Sequence, residues 1–336
     1  MAAKRRIYVG TMDGLYEAVG NGGAYSTRPL GLQGEGALRS PVVFDCEKPG
    51  RMYAATSRGG MFRSEDAGET WQEINRGIVY KECWSVAQQP STSEIWVGTG
   101  PTAVFHSTDG GDTWSECEHL RTLPDTKEWT FPGPPYVSHL KGLAVSADLP
   151  DVVIGAIEEG WVVRSTDNGK TWHNIKQGVE FDAHSVCYMP NDPAVVIVTS
   201  GKGVYRSGHG GDAFEDASEG LDRRYMAQIA VHAARPNVLF TAAAAVPPPS
   251  WRRPQGADAG FFRSEDQARS WQRVTGGLPE LIKGAPRATA SDPNDPNTFL
   301  VGLTDGTIWI SEDGTESFRE VVGGLGQISS LAVARQ

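Results

Sequence analysis

The chain has 336 residues, a formal net charge of −10, a pI near 5.2 and 39% hydrophobic residues. The apolar share suffices for a sizeable core, while the acidity and the lack of any basic cluster much larger than KRR (4–6) argue against nucleic acid as a partner. No run is long and apolar enough to read as a membrane span; TAAAAVPPP (241–249), the longest small-apolar stretch, ends in prolines.

Taken in chain order, the basic start MAAKRRIYVG has no apolar segment within it, so no secretory signal is expected. Cys46, Cys83, Cys117 and Cys187 lack metal-type spacing and read as free thiols of a cytoplasmic protein. RIYVGTMDGLYEA (6–18) then reads as two strands. A complete unit follows at 41–74: strand A (VVFD), strand B (RMYAAT), strand C (GMFRS), a tight turn, and strand D (TWQEI). The same order recurs from 143, 186 and 290, with Asp-Pro steps marking the A–B turns.

The turn itself repeats as Ser-x-Asp-x-Gly-x-Thr-Trp. Clear copies are SEDAGETW (64–71), STDGGDTW (107–114) and STDNGKTW (165–172); SGHGGDAF (207–214), SEDQARSW (264–271) and SEDGTESF (311–318) are degenerate. Their starts are 43, 58, 42, 57 and 47 residues apart, a spacing typical of propeller blades. Asp caps its own turn and Gly supplies positive φ, while the closing aromatic can pack between neighbouring sheets. The last segment, QISSLAVARQ (327–336), matches strand A alone and complements the first, which lacks one. The prediction is one all-β domain over 1–336. It is a seven-bladed β-propeller of four-stranded antiparallel blades, about 48 residues each, closed by the C-terminal strand pairing with the N-terminal blade.

These boxes resemble the BNR/Asp-box repeats of sialidases, sortilin-type receptors and photosystem-II assembly factors. The resemblance implies that Asp66, Asp109, Asp167, Asp266 and Asp313 are turn elements remote from any active site. Sialidases add an arginine triad, a Tyr/Glu pair and an Arg-Ile-Pro element on six blades; here the start reads RRIYVG without proline, and seven blades are expected. The assembly factors resemble the chain in blade count and box density, but their export signal and basic patch are missing. Seven-bladed lactonases and a streptogramin lyase are similar in fold and in using His, Glu and Arg at the channel mouth.

Antiparallel order puts the D–A and B–C connections on one face. Two long ones, 115–139 and 242–260, fall there, with Trp129, Phe131, Tyr136, Trp251, Arg252 and Arg253 among proline-rich sequence. They are expected to form a rim or lid over the channel mouth. Aligning the strand-A entrances brings Trp84, Lys141, His184, Ala227, Arg287, Ser40 and Ser329 to one layer. Two residues earlier stand Glu82, His139, Asp182, Tyr225, Ala285, Leu38 and Gln327. Alternate residues share a strand face, so both layers should face the channel. Arg39 and Arg224 add positive charge at the rim, and the B–C turns contribute Arg58, Glu158, Glu159, Lys202 and Asp305.

Two chemistries fit this ring. His139, His184, Asp182 and Glu82 make a candidate site for one divalent metal ion. Alternatively, His139 or His184 acts as base, oriented by Asp182 or Glu82, with Lys141, Tyr225 and Arg287 stabilising an oxyanion or carboxylate. Arg39, Trp84, Trp129, Trp251 and Arg224 are candidate substrate-binding residues. The expected function is a hydrolase or lyase for a lactone, glycoside or related carbonyl-bearing or anionic small molecule. The alternative is a non-catalytic scaffold that binds a protein or carbohydrate through the same face.

Overall fold

The structure, a computed structural model, describes residues 4–20 and 23–335. Among these residues the strands form seven four-stranded antiparallel sheets. Blade 4 is representative: His139–Ser146 lies innermost, followed outward by Leu149–Glu158, Trp161–Ser165 and His173–Ile175. Blade 1 breaks chain order. Its inner strand is Ile328–Val333, paired with Arg5–Thr11 in the register Ile7↔Val333, Tyr8↔Ala332 and Val9↔Leu331. The expected closure is therefore present, and it covers the inner edge of Arg5–Thr11. Among the described residues no helix is long and apolar enough to cross a membrane.

The core is a ring of interfaces rather than one central mass. A cluster of buried side chains sits between each adjacent pair of blades. Val9, Ile310 and Val333 join blades 7 and 1; Tyr8, Leu38 and Met52 join blades 1 and 2. Five further clusters complete the circle. Each sheet is thus covered on both faces, which is why second strands such as Met52–Thr56 and Ile95–Gly100 are buried at every residue and show no polar alternation. Packing is closest near the axis. A Cβ on Gly142 of blade 4 would lie 2.9 Å from the Ser185 Cα of blade 5, so only glycine allows that approach.

The Asp boxes are self-contained hydrogen-bonded turns. In the third, Asp167 accepts from the Thr171 N–H (2.8 Å) and hydroxyl (2.6 Å) and from the Ser165 hydroxyl (2.9 Å), while Ser165 Oγ accepts from the Gly169 N–H (2.9 Å). These bonds to the ionised form hold the Asp167 carboxyl down at about 2. The boxes at Asp66, Asp109, Asp266 and Asp313 repeat the pattern. The closing indoles tie blades together: Trp114 Nε1 donates to the Ile74 carbonyl and Trp271 Nε1 to the Ala217 carbonyl.

Two details differ from the sequence reading. The inner strand of blade 2 is only Val43–Phe44, shorter than the VVFD expected. The 115–139 connection is partly ordered by 3-10 turns at Glu118–Thr122 and Pro124–Lys127. These turns fold Trp129 inward against Leu120, Leu140 and Trp172, leaving it 9% exposed. All four cysteines are free, and burial pushes the Cys83 and Cys187 thiols up to about 12.

Candidate functional site

Six of the seven inner strands carry a β-bulge at the same level, and the residue it leaves unpaired is the one that sequence alignment puts in the channel layer. In blade 3, Cys83 pairs with Thr99 and Ser85 with Gly98, skipping Trp84. In blade 4, Leu140 pairs with Ile157 and Gly142 with Ala156, skipping Lys141. Blade 5 skips His184, blade 7 skips Arg287 and blade 1 skips Ser329; blade 6 sets Ala227 and Gln228 against one partner residue. A bulged residue is released from the ladder and re-aimed. The result is a cavity of about 290 Å³ at the channel mouth, whose wall includes Trp84, Lys141, His184, Tyr225 and Arg287. Phe131 and Pro248, one from each long connection, complete the wall, as a rim over the mouth requires.

Two hydrogen-bonded groups face each other there. In the first, Glu158 is central. Its Oε2 is 2.6 Å from His139 Nε2 and its Oε1 accepts from Lys141 Nζ at 2.9 Å. Burial alone would raise the Glu158 carboxyl, but Lys141, His139 and His184 overcome it and hold the group ionised, well below its ordinary range. Burial holds His139 below its ordinary value, although Glu158 opposes the shift, so the imidazole is neutral near pH 7 and donates Nε2–H to Glu158. In the second group, His184 Nε2 lies 3.2 Å from the Asp182 carboxylate, and His184 Nδ1 lies 3.1 Å from the Met226 carbonyl. Burial opposes ionisation of Asp182, yet His184 and Lys141 keep the carboxyl below its usual value. The Tyr225 ring packs edge-on against His184 at 4.7 Å, and burial together with the charges of Glu158 and Asp182 keeps the phenol protonated far above neutral pH.

Of the sequence candidates, Arg39, Trp84, Lys141, His184, Tyr225 and Arg287 line the cavity. His139 stands just behind it, 3% exposed, under Trp84 and Phe131. Glu82 does not join the proposed metal set: it points outward, pairing with Arg39 Nη1 at 3.1 Å and accepting from Trp84 Nε1 at 3.0 Å. The donor atoms that do converge belong to Glu158, Asp182 and His184, all within 4.8 Å of one another. Trp129 is core, as described above, and cannot be an exposed ligand platform. Trp251 supports the wall from behind, packing on Tyr225 and carrying the Arg287 guanidinium 4.6 Å from its ring centroid. Arg224 is half exposed beside Asp216, away from the cavity.

Glu158 was legible only as a residue of the B–C turn. Its signal was cross-strand: it ends the second strand of blade 4 directly opposite His139. Only the register turns that position into a partner for both His139 and Lys141.

The BNR/Asp-box repeat family matches at residues 163–174. No curated protein matches the chain in sequence. Among solved structures, the chain is similar to an ancestral GH74 enzyme at 20% identity, covering 88% of this chain and 38% of that one, with a TM-score of 0.63. It is similar to YCF48 from Cyanidioschyzon merolae at 17% identity, covering 84% of this chain and 86% of that one, with a TM-score of 0.57. A putative 6-phosphogluconolactonase from Bacteroides fragilis NCTC 9343 aligns over 99% of both chains at 12% identity and a TM-score of 0.66. The chain spans well under half the length of the GH74 enzyme, and at these identities the likeness is one of fold. Topology and neighbours together make the chain a seven-bladed β-propeller, one of whose Asp boxes matches the BNR/Asp-box repeat.

Proposed function

We propose that the channel-mouth cavity is the active site of a small-molecule hydrolase or lyase that works by carboxylate and imidazole acid–base chemistry on an anionic or carbonyl-bearing substrate. The observation that supports this most is the convergence of bulged side chains from separate blades on two His–carboxylate groups. A wet channel with no ligand has no use for that arrangement.

Roles follow from charge and position. Arg287 faces an aromatic ring rather than a carboxylate, so its charge is available to a substrate anion. Arg39 is already balanced by Glu82 and serves mainly to hold Trp84. Asp182 and His184 form the group best placed to take a proton from substrate or water. Tyr225, held as a phenol, is the donor to a developing oxyanion or leaving group. Lys141 keeps Glu158 ionised and adds positive potential to the cavity floor.

The test is a turnover screen over lactones, glycosides and β-elimination substrates with purified protein, beside the His184→Gln and Tyr225→Phe variants. Turnover by the wild type that falls by about 10²–10⁴-fold in His184→Gln supports the reading. Turnover that both variants retain would sink it. A second reading, the non-catalytic scaffold, is favoured by one observation. Met12, Val79, Tyr136, Val137 and Leu281, the exposed large hydrophobics among the described residues, all lie in B–C or D–A connections on this same face.

A further inference from the structure

We propose that Glu158, Asp182 and His184 form a binding site for one divalent first-row cation of the Mn²⁺ or Zn²⁺ class, facing the cavity. The inference rests on the cavity being the working site, and it replaces Glu82 and His139 of the sequence-based set with Glu158.

A carbonyl oxygen only accepts, so the contact between His184 Nδ1 and the Met226 carbonyl places the ring hydrogen on Nδ1. In the neutral ring, Nε2 then presents a bare lone pair. That lone pair looks at a carboxylate: Nε2 is 3.2 Å from both Asp182 oxygens. Two acceptors then face each other across a hydrogen-bond distance, an arrangement that is repulsive unless Nε2 takes up a proton, as in the ion pair with Asp182, or a metal cation stands between them; proton and metal compete for the same lone pair. Asp182 Oδ1 is, in addition, a buried oxygen with no hydrogen-bond partner among the described residues. His184 itself is 5% exposed, so bulk water does not relieve the conflict.

The donor chemistry fits a metal. One imidazole and two carboxylates suit Mn²⁺, Zn²⁺ or Fe²⁺ better than Cu⁺ or a thiolate-seeking ion. A backbone carbonyl behind the ligating histidine is the usual support that fixes its tautomer. Metal–donor bonds of about 2.0–2.2 Å place neighbouring donors roughly 3–3.5 Å apart, which the His184–Asp182 pair already satisfies. Glu158 lies within 4.8 Å and completes the set by a side-chain swing toward Asp182. That swing loosens its bond to Lys141. Lys141 is therefore a built-in competitor whose ammonium holds one of the three ligands. Three protein donors leave coordination positions open, and these face the cavity where water or a substrate oxygen would sit.

The experiment uses chelator-stripped full-length protein titrated with Mn²⁺ alone, followed by electron paramagnetic resonance and calorimetry. One saturable site is expected, weakened at least tenfold by His184→Gln and by Asp182→Asn. Lys141→Met should strengthen it severalfold, and Glu82→Gln should leave it within about twofold. Absence of saturable binding, or binding that survives His184→Gln, overturns the proposal. If a variant fails to fold, the ring ¹⁵N signals of His184 in the wild type decide the matter. A Zn²⁺-induced shift at Nε2 with Nδ1 still protonated is expected, and an Nε2 unaffected by Zn²⁺ overturns the site. No substrate enters these measurements. Failure here therefore leaves metal-free acid–base chemistry standing, and failed turnover with intact Mn²⁺ binding sinks only the proposed activity.

Discussion

The imidazole of His139 lies flat against the indole of Trp84, ring centroids 3.4 Å apart and planes within 11° of parallel. On the other face of the indole the Arg39 guanidinium sits 3.7 Å from the ring, and Glu82 ties that guanidinium to the indole N–H. Trp84 thus separates a permanent cation from a histidine that burial keeps neutral.

We predict that Trp84→Ala exposes His139 and lets its pKa rise toward the ordinary value near 6.5, because burial is the main cause of the depression. Trp84→Phe should retain most of the effect. An NMR titration of the His139 ring checks this; an unchanged midpoint in Trp84→Ala would mean that the stack does not control solvent access. The alanine variant should also lose about 1–3 kcal/mol of stability, read from denaturant unfolding.

Stability should fall in acid in two stages. His139 has a folded pKa below its unfolded value, so its contribution is complete above pH 6.5 and is lost as pH drops through the lowered folded value. Glu158 is also depressed, from an ordinary value of 4.5, so its contribution is complete above that pH and is lost further into acid. Melting temperature measured from pH 8 to 3 should therefore decline first below about 6.5. His139→Gln should flatten the first stage and keep the second in reduced form, because Lys141 still holds Glu158 ionised. A variant curve parallel to wild type through the first stage would be the contrary result.

Trp251→Ala should act through Arg287. Loss of the ring removes a cation–π contact of about 0.5–2 kcal/mol that fixes the guanidinium. For whichever anionic substrate the screen returns, KM should rise severalfold with kcat nearly kept, whereas Arg287→Ala should raise KM further. Equal losses of kcat in both variants would place Arg287 in the chemical step instead.

The box at 207–214 has His209 where the others have aspartate. Ser207 Oγ still accepts from the His209 and Gly211 N–H groups, so the turn is formed but lacks its carboxylate. His209→Asp should restore an acceptor for the Ala213 N–H and add about 0.5–1.5 kcal/mol. Asp167→Ala should cost about 1–2 kcal/mol by the same bonds. Paired urea denaturation curves measure both; a destabilised His209→Asp would show that His209 has a role of its own.

The boxes were readable because their chemistry is local: Ser165, Asp167, Gly169 and Thr171 satisfy one another within seven residues. The channel layer was readable because the repeats align, and the bulge that re-aims Trp84, Lys141 and His184 recurs at the same level. Strict alternation failed one step earlier. The bulge breaks the period of two there, so His139 is buried and Glu82 turns outward although both were placed on the channel face. Trp129 was misread for a different reason. Nothing in the spacing of 115–139 reveals that two short 3-10 turns fold it back onto Leu140 and Trp172.

The closure of blade 1 has a consequence for biosynthesis. The strand that covers the inner edge of Arg5–Thr11, Ile328–Val333, is translated more than three hundred residues after it. Throughout that interval the first strand has an unpaired row of backbone donors and acceptors, open to association with other nascent chains. Blades 2 to 7 are each complete within contiguous sequence and are free to assemble meanwhile. The ring is therefore completed at the seam, and the vulnerable period of folding lasts for as long as the residues between the two paired strands take to translate.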